Sequence, residues 1–439
     1  MRFNFSASKK NQTVNYEEAT AWKIGPAAEL YAAVMTSSLS NTFYEGADQR
    51  LERIRSLIAQ NDPLFVAKLA VYARTQMHLR SVPLVLCVEL AKLHKGDTLI
   101  SRMVSGVIHR ADEITELLAY YQLSNERSDT KKLNRLSKQL QKGLALAFLK
   151  FDEYQYAKYN RDTEIKLRDA LFLAHPKSEN EEQKALFDKI AANTLAEPYT
   201  WETELSALGQ QSFESAEAKA AAFRAKWEEL IDSGKPGYMA LLRNLRNILQ
   251  AEVSPAHMRK VCSLLADPKA VQRAKQLPFR FLAAFRELQE QPSGYTAMLL
   301  DALEEAVKAS ILNMKGFGYD VQVVVACDVS GSMQQSVSHR SKILNYDIGL
   351  MPGMLLQHRC RNVVSGMFGD SWKVINLPRN GVLANVQEFY RREGEVGYST
   401  NGYLVILDLI RRKVKANKVM IFTDCQLWDS QGQNSLAAA

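Results

Sequence analysis

The chain has 439 residues, 46% hydrophobic and 24% charged, with a formal net charge of +8. That length supplies two or three ordinary domains, and the composition is that of a folded, water-soluble chain rather than a fibrous or disordered one. No apolar run approaches the roughly 20 residues of a membrane span, and the start, MRFNFSASKKNQ, has no leader-like apolar core, so neither a membrane partner nor secretion is expected.

Cys87, Cys262, Cys327, Cys360 and Cys425 are odd in number and scattered. That pattern suits free thiols in a reducing compartment, so a cytoplasmic location is expected. The positive excess is modest, and it permits a polyanionic partner without requiring one.

From about Thr20 to Leu312 apolar residues recur at intervals of three and four, which predicts helix almost throughout. In DPLFVAKLAVYARTQ, Asp62 is a predicted N-cap and Pro63 the first helical residue. SVPLVLCVELAKLHKG repeats the device, with Ser81 as the expected cap and Gly96 as the stop. SPAHMRKVCSLLADP opens at Ser254-Pro255 and closes near Pro268. KPGYMALLRNLRNILQ and YTAMLLDALEEAVKASIL each read as one amphipathic helix. About a dozen such helices with short turns suggest stacked antiparallel pairs, a HEAT-like solenoid, although an irregular helical domain has the same pattern.

The character changes near Met314-Lys315-Gly316-Phe317-Gly318. VQVVVAC, NVVSGMF, KVINL and KVMIFTD read as strands, with helices around Lys342–Gln357 and Thr400–Lys413 between them. Strands alternating with helices indicate a parallel, doubly wound sheet. The expected partition is therefore a helical domain at 1–315 and an α/β domain at 316–439. The last segment, DSQGQNSLAAA, stops where a further helix is expected, which suggests a partial second domain.

The strand VVVAC ends in Asp328, and Ser330 and Ser332 follow it. Ligands of open parallel sheets lie beyond the carboxyl ends of the strands. Carboxylate and hydroxyl oxygens are hard donors that suit Mg²⁺ better than zinc. Thr400, in GYSTN, and Asp424, in VMIFTDCQ, stand at other loop and strand ends and complete a candidate set. The plain alternative is two capping carboxylates and a serine-filled turn. A haloacid-dehalogenase nucleophile pair requires a second Asp where Ser330 stands, and the surroundings of Ser330 do not match Gly-x-Ser-x-Gly. No enzyme is expected. Cys327 and Cys425 flank the ligands without a zinc spacing. In their order, Asp328, Ser330, Ser332, Thr400 and Asp424 resemble the metal-ion-dependent adhesion site of von Willebrand factor A domains. The resemblance implies one divalent cation, Mg²⁺, that grips a ligand.

A helical array followed by such a domain resembles the Ro autoantigen family, whose helical module is the TROVE domain. The similar segments are LFVAKLAVYARTQMHLRSVPLVL, GYMALLRNLRNIL, LPFRFLAAFREL and AKYNRDTEIKLRDALFLAHPK. The resemblance runs from about residue 20 to the end and is nearest to bacterial Ro proteins. It implies a mainly α fold, with a HEAT-like ring closed by an A domain, as a monomer. It also implies an RNA-binding scaffold: Y-like small structured RNA on the outer surface, single-stranded 3′ ends of misfolded RNA in a central hole, and an exoribonuclease as partner. A helical adaptor that binds a protein through the metal site, with no RNA, is the other open reading.

By the matching AKY and LAHPK, the family's RNA-contacting Lys and His carry over to Lys158 and His175. A third family cation falls on Asp162, with Arg161 just before it. His175 also reads as a helix C-cap ahead of Pro176. Tyr154, Tyr156 and Tyr159 lie among these residues, either packed or available to stack on bases. In KKLNRLSKQLQKGLALAFLK, Lys131, Arg135, Lys138 and Lys142 share one face of an expected helix, opposite Leu133, Leu136, Leu140 and Leu144. Such a face is either simply solvated or, given the resemblance, a phosphate-contacting surface.

Overall fold

The structure is a computed structural model of the whole chain, and it describes residues 12–14, 20–36, 47–125, 135–160, 162–338, 341–424 and 427. The chain forms two compact units, Lys23–Tyr199 and Met1–Trp22 with Thr200–Ala439. The four described cysteines, Cys87, Cys262, Cys327 and Cys360, are buried free thiols; Cys425 lies outside the described residues.

The unit of residues 23–199 is helical. Asp62 caps its helix as expected, its carboxylate accepting from the Phe65 N–H at 2.9 Å, with Pro63 at the first position. Helix Pro63–Thr75 packs on the next helix, Ser81–Leu93, and on the one after, Leu99–Val107. The pattern repeats: Leu99–Val107 meets Lys138–Phe148, while Ser81–Leu93 meets Asp112–Ser124. Packing on the next but one as well as the next produces two stacked layers, as in helical-repeat proteins. Ser81–Leu93 lies deepest, with every residue from Val82 to Leu90 buried. Ser81 is not its cap: Ser81 is already the first helical residue, Arg80 stands at the N-cap without a side-chain bond, and His94 ends the helix before Gly96. Burial of an apolar face on all sides secures this helix, so the cap contributes little.

The second unit begins with a short antiparallel pair, β1 (Gln12–Val14) and β2 (Thr20–Trp22), which the helical reading did not anticipate. Its helices stack from Ala216–Ser233 through Pro255–Ala266 to Thr296–Ser310. Ser254 caps as expected. The segment 238–250 is two helices rather than one, Tyr238–Arg243 and Leu245–Gln250. Between them stands buried Asn244, whose side-chain amide donates to the Ala240 carbonyl at 2.8 Å beside its own backbone N–H at 3.2 Å, so the side chain shares an acceptor of the helical ladder at the break.

The strands β3 (Gln322–Asp328), β4 (Asn362–Phe368), β5 (Trp372–Val374) and β6 (Lys418–Phe422) form one sheet in the order β5-β4-β3-β6. β4, β3 and β6 are parallel, whereas β5 is antiparallel to β4. The sheet is therefore mixed rather than wholly parallel. The link from Phe368 to Trp372 is a tight turn, far shorter than the dozen residues a parallel crossover needs. Side-chain alternation along β3 assigns its faces. Val324 and Ala326 pack with Phe368, Val405 and Leu409, beneath helix Tyr403–Arg411. Val325 and Cys327 face helix Asn345–Arg359, where a β-carbon at Gly349 would stand 2.6 Å from the Phe422 side chain. Helix Val382–Arg391 was not expected from the sequence; its N-terminal N–H groups are taken by the carboxylate of Glu304.

The proposed partition at 315/316 separates helix from sheet, and packing groups the helices of 201–310 with that sheet. Arg286 on helix Phe279–Gln289 makes a bidentate pair with fully buried Asp347, at 2.6 and 2.8 Å. Among the described residues no helix is long and apolar enough to cross a membrane.

Candidate functional site

Asp328 is the last residue of β3 and is fully buried. One carboxylate oxygen accepts from the Ser330 N–H at 2.9 Å and the other from the Thr423 hydroxyl at 2.7 Å. The Ser330 and Ser332 hydroxyls lie 3.3 Å apart, both buried, in the turn that opens the short 3₁₀ helix Gly331–Gln334. Three of the five expected ligands are thus brought together within one loop.

The other two arrive on separate segments. Asp424 follows β6, the parallel neighbour of β3, so the register Cys327↔Phe422 sets it beyond the same sheet end. Its charge acts on Asp328. Burial pushes the Asp328 carboxyl above its usual range and Asp424 adds to this, while the hydrogen bonds from Ser330 and Thr423 oppose it. Thr400 is buried, and its neighbour Asn401 donates through its backbone N–H to the Gly369 carbonyl at 3.1 Å. Gly369 follows Phe368, the register partner of Asp328. A β-carbon on Gly369 would meet the Gly397 carbonyl at 2.0 Å, so glycine there lets the Thr400 loop close onto the sheet end.

Sequence reasoning missed two residues of this arrangement. Thr423 holds Asp328, and Asp370 accepts from the Ser399 N–H at 3.1 Å to orient the Thr400 loop. The adjacency of Thr423 to Asp424 was a usable signal; nothing in the local sequence marked Asp370. Among the described residues no three His, Cys, Asp or Glu side chains gather as a metal cluster. The donor set is instead two carboxylates with hydroxyls, all hard oxygens. Two mutually repelling carboxylates at a buried strand end fit a hard divalent cation. Cys327 points to the other face of the sheet, against helix Asn345–Arg359, and is not a donor here.

The cationic candidates lie in the other unit. Lys158 is exposed on helix Glu153–Tyr159, whose N-cap Asp152 forms a reciprocal capping box with Gln155. Its ammonium stands 5.8 Å from the Tyr154 ring centre and 5.9 Å from that of Tyr159, and the Arg110 guanidinium lies 4.5 Å over Tyr159. Tyr154 is exposed, and Tyr159 is half-buried. Tyr156 is not available to a base: it is fully buried and donates to the Phe148 carbonyl at 2.7 Å. Asp162, at the third family position, is paired with Lys166 at 2.8 Å. Arg161 lies outside the described residues.

His175 ends helix Leu167–Ala174 in the left-handed conformation, φ 48°, with its N–H on the Leu171 carbonyl at 3.0 Å and its side chain exposed. The capping role is real, and it leaves the imidazole outward.

The expected helix from Lys131 starts later. Ser137 caps it, accepting from the Leu140 N–H at 3.2 Å, and the helix is Lys138–Phe148. Arg135 therefore precedes the helix, its carbonyl accepting from the Tyr121 hydroxyl at 3.0 Å, and Lys131 and Leu133 lie outside the described residues. The serine side chain satisfies a free N–H only where the helix begins, which the apolar period alone did not reveal. Lys138 and Lys142 remain exposed one turn apart, opposite buried Leu140 and Leu144.

The TROVE domain model matches this chain over residues 3–224 and 192–299. Curated relatives include proteins described as telomerase protein component 1. That of Rattus norvegicus is 26% identical over 319 residues, 54% of this chain and 12% of the rat protein. That of Mus musculus is 26% identical over 307 residues, 52% of this chain and 11% of the mouse protein. The chain thus spans only a small fraction of those relatives' length. Among solved structures, the crystal structure of the Deinococcus radiodurans Ro (RSR) protein superposes with a TM-score of 0.64 at 17% identity. It covers 94% of this chain and 89% of the other, a likeness of fold.

Proposed function

The chain belongs to the TROVE domain family, and from that premise we propose that it is a non-catalytic RNA-binding scaffold of a ribonucleoprotein. The family match carries this reading. The exposed Lys158 between two tyrosine rings, with Arg110 beside it, supports it as a surface on which cations meet phosphates and rings meet unpaired bases. The finer reading is a Y-like structured RNA on the surface bearing Lys158, Arg161 and His175, with misfolded RNA 3′ ends and an exoribonuclease as further partners, in the cytoplasm. Lys138 and Lys142 belong to a second cationic surface of the same kind.

For the sheet end we propose a single Mg²⁺ held by Asp328, Ser330, Ser332, Thr400 and Asp424 in an A-type domain. The buried hydroxyl–carboxylate cluster supports it. That cluster also favours the second reading, a protein ligand whose carboxylate completes the metal shell. Binding of a structured RNA hairpin across a salt series separates the two. Affinity that falls steeply with salt is expected of the scaffold, and no measurable binding at low salt leaves only the protein-ligand reading.

A further inference from the structure

The segment GYMALLRNLRNIL carries the two short helices Tyr238–Arg243 and Leu245–Gln250. Its break at Asn244 has a spatial consequence. The Asn244 side-chain oxygen accepts from the Asn247 amide at 2.9 Å, holding the second short helix against the first. Arg243 and Arg246 then line one cleft of about 330 Å³, and Arg280, from helix Phe279–Gln289, lines it too.

All three arginines are exposed, and the floor between them is aliphatic, with buried Leu242 and Leu288 beside Ala283 and Ala284. Among the described residues one carboxylate lines the cleft: Glu287, paired with Arg246 at 2.5 Å and also with Lys342 at 3.2 Å. Among the described residues no carboxylate lies in ion-pair contact with Arg243 or Arg280. Arg280 instead stacks on the Phe279 ring, 5.3 Å from its centre. Two guanidiniums on different elements are thus left with their forks uncommitted at the rim of a small apolar cleft.

A tetrahedral phosphate offers oxygens in several directions, whereas a planar carboxylate is satisfied by one fork. We propose that this cleft binds the phosphate of one unpaired nucleotide through Arg243 and Arg280, with the sugar and base over the aliphatic floor. The nucleotide is either a free nucleoside monophosphate or one unit of a single strand. Only the strand source rests on the RNA-scaffold reading.

The test uses the full chain, fluorescein-labelled octauridylate, UMP as competitor, and a structured hairpin in parallel. For R243Q/R280Q the expected result is octauridylate binding weakened about 10- to 100-fold, with a log–log salt slope flatter by roughly one to one and a half. Hairpin binding stays as in wild type. The thermal midpoint is unchanged, because both side chains are exposed. Should the double variant fail to fold, R243Q and R280Q singly are each expected to weaken binding. Octauridylate binding far tighter than UMP assigns the strand source, and equal affinity assigns the free nucleotide. A folded double variant that binds octauridylate and UMP as wild type does overturns the proposal. So does a wild type that binds neither, or displacement of octauridylate by an oligoglutamate peptide as readily as by UMP. Absent hairpin binding with octauridylate retained would fail the scaffold reading while leaving this cleft in place.

Discussion

The oxygen cluster at the sheet end and the cationic surface around Lys158 are built in opposite ways. The first gathers buried and half-buried side chains from three chain segments and holds them by hydrogen bonds, such as Thr423 to Asp328. The second consists of exposed side chains on short helices, where Lys158 meets tyrosine faces. Buried polar groups are costly unless partners satisfy them, so the fold specifies the cluster's arrangement, which the Mg²⁺ proposed above would complete. An exposed lysine costs nothing to leave in water, so its position is weaker testimony to a ligand. The same contrast governs how each region responds to substitution.

The largest expected effect is at the cluster. Asp328→Asn should remove Mg²⁺-dependent stabilisation, which for the wild type amounts to about 2.7 kcal/mol at a hundredfold excess over Kd. Thermal melts with and without Mg²⁺ check this, and an undiminished Mg²⁺ gain in the variant would place the ion elsewhere. Hairpin affinity should be untouched, since Lys158 belongs to the other compact unit.

Next comes the cationic surface. Neutralising Lys158 and Arg161 together should flatten the salt dependence of hairpin binding by roughly one to two units, and leave stability within about 0.5 kcal/mol. A slope equal to that of wild type would take these residues out of the interface. A smaller effect belongs to Thr423→Val, which leaves one Asp328 oxygen without its donor. It should cost about 1 kcal/mol in denaturant melts and weaken Mg²⁺ binding, and a variant with both quantities unchanged would remove Thr423 from the site.

The smallest effect sharpens the comparison most. His175 holds a left-handed backbone that glycine adopts freely. His175→Gly should therefore stabilise the fold by about 0.5–1 kcal/mol while lowering hairpin affinity. A buried, interlocked site has no residue at which stability and binding separate in this direction. If affinity stays at the wild-type value, His175 is a cap and nothing more.

The sequence by itself determined what depends on neighbours along the chain. Apolar periods three and four apart marked the helical region, and Asp62-Pro63 and Ser254-Pro255 marked true helix starts, because capping is satisfied within a few residues. Asp328, Ser330 and Ser332 were legible as a set, since one loop carries all three. The proposed RNA contacts Lys158, Arg161 and His175 were legible only through family resemblance, because a lone exposed cation has no local pattern that distinguishes it. Tertiary structure decided the rest. Only packing shows that Tyr156 is core while Tyr154 is open, since a tyrosine reads alike in either setting. Only the fold returns Thr423 to Asp328 across 95 residues, and Arg280 to the cleft of Arg243. The antiparallel turn of β5 likewise depended on a connection too short to cross over, a matter of geometry rather than of strand propensity.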